Sequence, residues 1–301
     1  MDTTSGTDRD TRMADRFSAG ISYLREHDRL ATGLLVSPPY AFLLLFFALP
    51  LVAMLLISFR AGTVDGPWTL ENYRQFLFTE VYRVILWRTF VITVKVTVIV
   101  VIVGYALAYS IVRFSRRTTL LLLLVILPFW TSYIIRMYAW INILQSDGVL
   151  DSTLSLVGLP PVGLLYSETA VLIGFTYVWL PLAILPFYAS LANMDPDLIE
   201  AAKDLGAGPV KAFFTVTLPT TINGVVTGTI LVFIPTFGSF LTPRLLGGTN
   251  NVMIGMIVEN QFKTAFNWPF GAAIGMVLSA IVVALLIAAG KAGANLIGGE
   301  G

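Results

Sequence analysis

Cysteine is absent from this chain, histidine occurs once, and charged side chains make up only 12% of its 301 residues. The first absence excludes disulfides, thiolate catalysis and cysteine-ligated metal. The single histidine, His27, lies in a polar N-terminal stretch, so neither a Ser-His-Asp arrangement nor a clustered metal site is available. No G-x-x-x-x-G-K-[ST] phosphate loop occurs, so the chain is not itself an ATPase of that class. Acidic and basic residues nearly cancel at +1, which leaves no polybasic excess to attract nucleic acid. Catalysis by this chain is not expected, and no catalytic, cofactor or metal residue is assigned.

What is abundant is apolar. Hydrophobic residues make up 56% of the chain, its mean hydropathy is +0.80, and soluble domains carry roughly 25% charge. Lipid cannot hydrogen-bond an exposed backbone, so long apolar runs must cross it as helices of about 20 residues. The chain reads as an all-α membrane protein with six transmembrane helices, at about 34–59, 89–112, 119–142, 170–190, 220–241 and 271–290. The third is interrupted by Pro128, after which a Leu-rich half gives way to "TSYIIRMYAWINIL"; a proline inside a span is tolerated and often kinks it. The run "NNVMIGMIVENQF" at 250–262 is too short to cross and reads as a re-entrant or interfacial helix.

The polar first 33 residues lack the basic start and short apolar core of a signal peptide. Lys and Arg favour one side: the N-terminal segment, Arg113, Arg116 and Arg117, Lys203 and Lys211, and Lys291. By the positive-inside rule both termini are cytoplasmic. The expected organisation is a cytoplasmic segment at 1–33, a membrane domain at 34–290 and a cytoplasmic tail at 291–301.

Between spans four and five the chain turns polar, in "EAAKDLGAGPVKAFFTVTLP" at 200–219. Asp195 can cap a helix that begins at Pro196. Leu198, Ala201, Ala202 and Leu205 form an apolar face, and Gly206 stands where an αL helix stop belongs. Glu200 and Lys203 are spaced for an i,i+3 pair. Gly208-Pro209 opens a second short helix. The pattern predicts a helix, turn, helix protrusion at 195–219, suited either to docking or to simple solvation.

The spacing resembles the EAA loop of permease subunits of binding-protein-dependent ABC importers. Glu200-Ala201-Ala202 is followed after three residues by Gly206, and after nine more by Val216-Thr217-Leu218-Pro219. Val216 replaces the family's isoleucine. The resemblance implies a type I importer permease fold, with Glu200, Ala201, Ala202, Asp204 and Gly206 in a coupling helix that docks on a separate ATPase dimer. ATP and Mg²⁺ would belong to that partner, and this chain would hold no cofactor. Further partners implied are a second homologous permease, an extracytoplasmic substrate-binding protein and the lipid of a bacterial inner membrane.

Residues 127–160, 177–207 and "WTLENYRQFL" at 68–77 are similar to the first permease of spermidine/putrescine importers. Permeases for iron, sulfate, thiamine and other solutes share the fold and the loop, so another small solute stays open. A stand-alone secondary transporter is disfavoured, because no Asp or Glu lies inside the six spans. A membrane scaffold is the remaining alternative.

A polyamine needs carboxylates and aromatic faces. Trp130, Tyr133, Tyr138, Trp140, Tyr177 and Trp179 can supply faces, or can equally pack in interfacial belts or against other helices. Arg136 is a gate or receptor contact, or an anchor that snorkels; Lys95 reads as a snorkelling residue. Glu259 either faces the translocation path or packs against the partner permease. Asp147, Asp151 and Glu168 share a loop without Lys or Arg, free to steer a cation or simply to be solvated.

Overall fold

The computed structural model describes residues 36–297, with side chains to Gly290. The expectations for 1–33, Lys291 and the final tail lie outside those residues or side chains. The chain divides into two compact units at Leu56/Ile57. The first holds most of α1 (Val36–Ser58), which is apolar almost throughout. A π-helical turn at Leu44–Ala48 interrupts it just before Pro50, where the missing N–H and the crowded carbonyl of the preceding turn make a wider turn the easier geometry.

The second unit begins with α2 (Glu71–Phe78). Asn72, buried on α2, donates to the carbonyls of Ser58 (2.9 Å) and Arg60 (2.7 Å), so a side chain satisfies two acceptors of the connecting loop. α3 (Glu80–Phe114) is 35 residues long, about 52 Å at 1.5 Å per residue, and so extends well past a hydrocarbon core of about 30 Å. α4 (Thr118–Ile126) ends in a 3₁₀ turn, Leu127–Trp130. Then follow α5 (Tyr133–Leu144), α6 (Val149–Leu156) and α7 (Glu168–Ala192).

After them come α8 (Asp197–Asp204), α9 (Pro209–Thr220) and α10 (Ile222–Phe237). The chain closes with α11 (Leu241–Leu246), α12 (Ile254–Lys263) and α13 (Trp268–Ile297). Among the described residues the only extended pairing is a single bridge between Arg60 and Trp68.

Among the described residues four helices are long and apolar enough to cross a membrane, and up to six spans result if each of two bent pairs counts as one. The bends correct two expectations. The third span is not one kinked helix: Thr118–Trp130 and Tyr133–Leu156 meet at 96°. Thr131 is extended, and its hydroxyl donates to the Pro128 carbonyl at 2.7 Å, taking the acceptor that a continuing helix would use. The fifth span starts after a 68° bend between Pro209–Thr220 and Ile222–Phe237, and of its expected last residues 238–240 lie outside any helix while Leu241 begins α11. The run at 250–262 forms α12, ten residues long.

The core lies where α3, α7 and α10 meet, with Val96, Val100, Phe175, Ile184 and Val232 fully buried. Its centre is Phe187, 0% exposed. A Cβ added at Gly228 would lie 2.3 Å from the Phe187 ring, and one at Gly104 would lie 3.2 Å from it. Glycine at both positions leaves the hollows that the ring fills, the small-residue approach expected of helices in lipid. A second cluster joins Phe76, Phe237, Ile254, Phe270 and Ile274. It is tied to α3 by Thr89, whose hydroxyl accepts the Ile254 N–H at 2.9 Å and so caps the start of α12.

This packing predicts an order of sensitivity. Gly228→Ala should lower the yield of monodisperse protein extracted in detergent, and its melting temperature, clearly more than Gly104→Ala does. Phe187→Leu should restore part of the loss in Gly228→Ala, since the two side chains compete for one space. Equal tolerance of both alanines, or no rescue, would show that the ring does not hold this contact.

Candidate functional site

The polar segment forms an elbow whose geometry is local. The Asp197 N–H donates to Asp195 Oδ1 at 3.0 Å, and α8 starts at Asp197, one residue later than expected. At its other end the Ala207 N–H reaches the Ala202 carbonyl (2.9 Å) and the Gly206 N–H reaches that of Lys203 (2.8 Å). These two bonds make a Schellman stop. Gly206 has φ +82, and a Cβ added there would meet nothing within 4 Å. Glycine is therefore required by the backbone alone, not by crowding.

The apolar face of α8 splits in two. Ile199 is buried and lines a cleft with Tyr109, Val112 and Leu191. Leu198 and Leu205 face outward, and Leu205 is 89% exposed. Val210 and Phe214 continue the exposed apolar surface onto α9. Glu200, Ala201, Asp204 and Gly206 are exposed, while Ala202 is half-buried. The expected ion pair between Glu200 and Lys203 is not formed among the described residues.

From the elbow, contacts run straight into the core. Phe213 packs edge-on against Tyr105 (6.0 Å between ring centres) and Tyr109 (5.6 Å). The Tyr105 hydroxyl shares a buried 2.7 Å hydrogen bond with the Thr221 hydroxyl at the bend between α9 and α10. Tyr105 also meets Phe187 edge-on at 5.9 Å. A displacement of α8 and α9 therefore acts on α3, α7 and α10 together. Tyr105 and Thr221 were not singled out from the sequence, where they read as ordinary span residues, and Phe213 read only as an apolar residue of the second short helix.

α10 leads away from the elbow, so α11 and α12 lie at the opposite end of the bundle. The aromatic candidates are only partly gathered there. Tyr133 packs 6.4 Å from Trp179 and hydrogen-bonds Thr242 of α11. Trp130 and Tyr138 are 88% and 56% exposed, and neither ring meets another aromatic ring among the described residues. Arg136 is buried, its guanidinium 5.6 Å from the Tyr133 ring and 5.7 Å from that of Phe129. It does not reach out to an interface as a snorkelling residue would. Its Nε and Nη1, the Trp179 Nε1 and the Thr176 hydroxyl are buried without hydrogen-bond partners. A guanidinium offers donors only, so this position suits an acceptor and repels a cation.

Two of the carboxylates at this end, Glu168 and Glu259, are ion-paired, whereas Asp147 is exposed and Asp151 keeps one buried oxygen, Oδ2, without a hydrogen-bond partner. Asp151, buried rather than solvated, accepts the N–H groups of Val162 (2.9 Å) and Gly163 (3.4 Å) and fixes its loop. Glu168 pairs with Lys95, so that lysine is not simply snorkelling. Glu259 is held by Arg244 and by Lys263. α11 thus joins the two groups of candidates, taking Tyr133 through Thr242 and Glu259 through Arg244. The Glu259–Lys263 spacing of four was visible in the sequence; the contact from Arg244 was not.

Comparison with known proteins bears on both ends of the molecule. The chain is 37% identical over 257 residues to the spermidine/putrescine transport system permease protein PotB of Haemophilus influenzae, a match covering 82% of this chain and 88% of that one. It is 33% identical over 252 residues to PotB of Escherichia coli K12, with coverage of 81% and 91%. Over 241 residues, 75% of this chain and 76% of the other, it is 34% identical to the inner membrane ABC transporter permease protein YdcU of Escherichia coli K12. The fold matches a chain of a bacterial alginate ABC transporter crystallised with an alginate pentasaccharide-bound periplasmic protein, at TM-score 0.75, 16% identity and coverage of 88% and 93%. Residues 34–292 match the family described as "Binding-protein-dependent transport system inner membrane component". An all-helical, multi-pass architecture with a Schellman-stopped elbow on the EAA spacing, and this match across most of the chain, lead to one conclusion: the chain belongs to the family of inner-membrane permease components of binding-protein-dependent ABC transport systems.

Proposed function

We propose that this chain forms one half of the translocation pathway of an ATP-driven importer for polyamines. The observation that carries the coupling role is the elbow itself. It presents Leu198, Leu205, Val210 and Phe214 outward as an apolar surface, while Phe213 and Thr221 anchor its base in the core. Exposed apolar side chains flanked by Glu200 and Asp204 suit a cleft on a soluble partner. In this reading that partner is an ATPase dimer that binds ATP and Mg²⁺, and the elbow and both termini are cytoplasmic. The second half of the pathway is a homologous permease, and an extracytoplasmic binding protein delivers the solute.

Closure of the ATPase dimer would move α8 and α9 as one body and tilt α3, α7 and α10 through Tyr105, a two-state rigid-body change. The polyamine assignment draws support from the PotB relatives. A second reading, the same machine carrying another small solute, is favoured by the state of the carboxylates: Glu168 and Glu259 are held by cations, and Asp151 is buried against its own loop. With polyamine as the solute, free carboxylates come largely from the second permease.

Uptake of labelled spermidine and putrescine in cells lacking the gene, with and without its return, decides between these readings. Restored, energy-dependent polyamine uptake supports the first; unchanged polyamine uptake leaves the second. Gly206→Val should still insert, because its Cβ has room, but αL geometry costs a β-branched residue about 1–2 kcal/mol. It should lose most transport and leave ATP hydrolysis uncoupled, whereas Gly206→Asn retains more of both. Normal uptake by Gly206→Val would contradict a coupling role for the turn. Leu205→Asp and Glu200→Lys should each reduce co-purification of the ATPase several-fold, and wild-type recovery of the ATPase would refute docking at this surface.

A further inference from the structure

Glu259 is bound by two cations of different character. Arg244 reaches it from α11 with one guanidinium nitrogen. Lys263, one turn further along α12, places its ammonium 3.2 Å from the other carboxylate oxygen. The same ammonium lies 5.6 Å from the centre of the Phe240 ring. Only 9% of the Glu259 side chain is exposed, against 67% for Lys263. A sheltered carboxylate and an aromatic face are therefore filled by an ammonium that reaches in from outside. An i,i+4 pair with an exposed lysine holds weakly and exchanges readily.

Lysine carries a primary ammonium on a four-carbon stem, which is also the chemistry of one end of a diamine of the putrescine type. We propose that the Glu259–Phe240 seat is a passage site for the ammonium end of the transported cation, and that Lys263 occupies it between transport cycles. This rests on the polyamine reading above. When one ammonium replaces another, the local charge is conserved and the sheltered carboxylate never loses its counter-ion. Arg244 stays in place and positions Glu259. Its charge keeps the seat weak, as a site on a transport path must be if the solute is to leave it. The other lysine–carboxylate pair, Lys95 with Glu168, has both partners nearly half exposed and no ring over its ammonium among the described residues.

The test is direct binding of labelled spermidine and putrescine to the purified transporter complex in lipid nanodiscs, without its binding protein. Lys263→Gln removes the internal competitor and should tighten binding about two- to fivefold. Lys263→Arg retains a competitor and should bind like the wild type. Glu259→Gln should weaken binding, and the double variant should show no gain from losing Lys263. Arg83→Gln removes a positive charge from the start of α3, at the same end, without touching the carboxylate, and should change nothing. Unchanged or weaker binding by Lys263→Gln, no binding by either form, or a gain that survives Glu259→Gln or is copied by Arg83→Gln, overturns the proposal. Lys263 is exposed, so its variants report even if Glu259→Gln fails to assemble. A wild-type complex that carries no polyamine removes the substrate reading and this seat with it. Normal polyamine uptake beside a silent Lys263→Gln removes the seat alone.

Discussion

Phe187 seated between Gly104 and Gly228 is the contact on which the rest of the architecture depends. Helices in lipid gain little from burying apolar surface against one another, because the solvent they leave is as apolar as their side chains. What holds them is close approach and matched shape, and here one ring fills hollows on two helices while belonging to a third. Without that fit, Tyr105 would have no fixed place between Phe187 and Phe213, and the elbow would have nothing rigid to push against.

Local features of the elbow were legible in the sequence, and nonlocal ones were not. The helix stop at Gly206 and the Asp195 cap depend on residues within one or two turns, so spacing alone reports them. The break after Trp130 escaped notice because Pro128 permits a kink or a full stop, and the choice was made by Thr131 taking its carbonyl. The partners of the carboxylates were hidden for a different reason. Lys95 and Glu168 are 73 positions apart, and Arg244 reaches Glu259 only because the chain folds back after α10. Glu168, which looked like a free anion, and Lys95, which looked like a cation reaching for headgroups, are one ion pair once the topology is known.

The two ends of the bundle consequently differ in kind. At the elbow the polar groups are outward and the apolar surface is uncovered, a surface made to be gripped. At the far end Glu168 and Glu259 are paired with cations, and the buried donors of Arg136 stand without acceptors. A cation crossing this subunit meets ion pairs it must exchange with rather than open carboxylates it can fall into, which favours passage over retention.

The π-helical turn at Phe213–Thr217, just before Pro219, has a consequence of its own. A π turn holds one residue more than an α turn, and one residue corresponds to about 100° of rotation around a helix axis. This turn therefore sets the phase between the outward face of the elbow and the inward face that meets Tyr105. Phe213 is held here by its ring contacts, and the number of residues in the turn is constrained as well as their identity. Deleting one of the exposed residues after Phe213 would leave both ends well formed and turn them out of alignment.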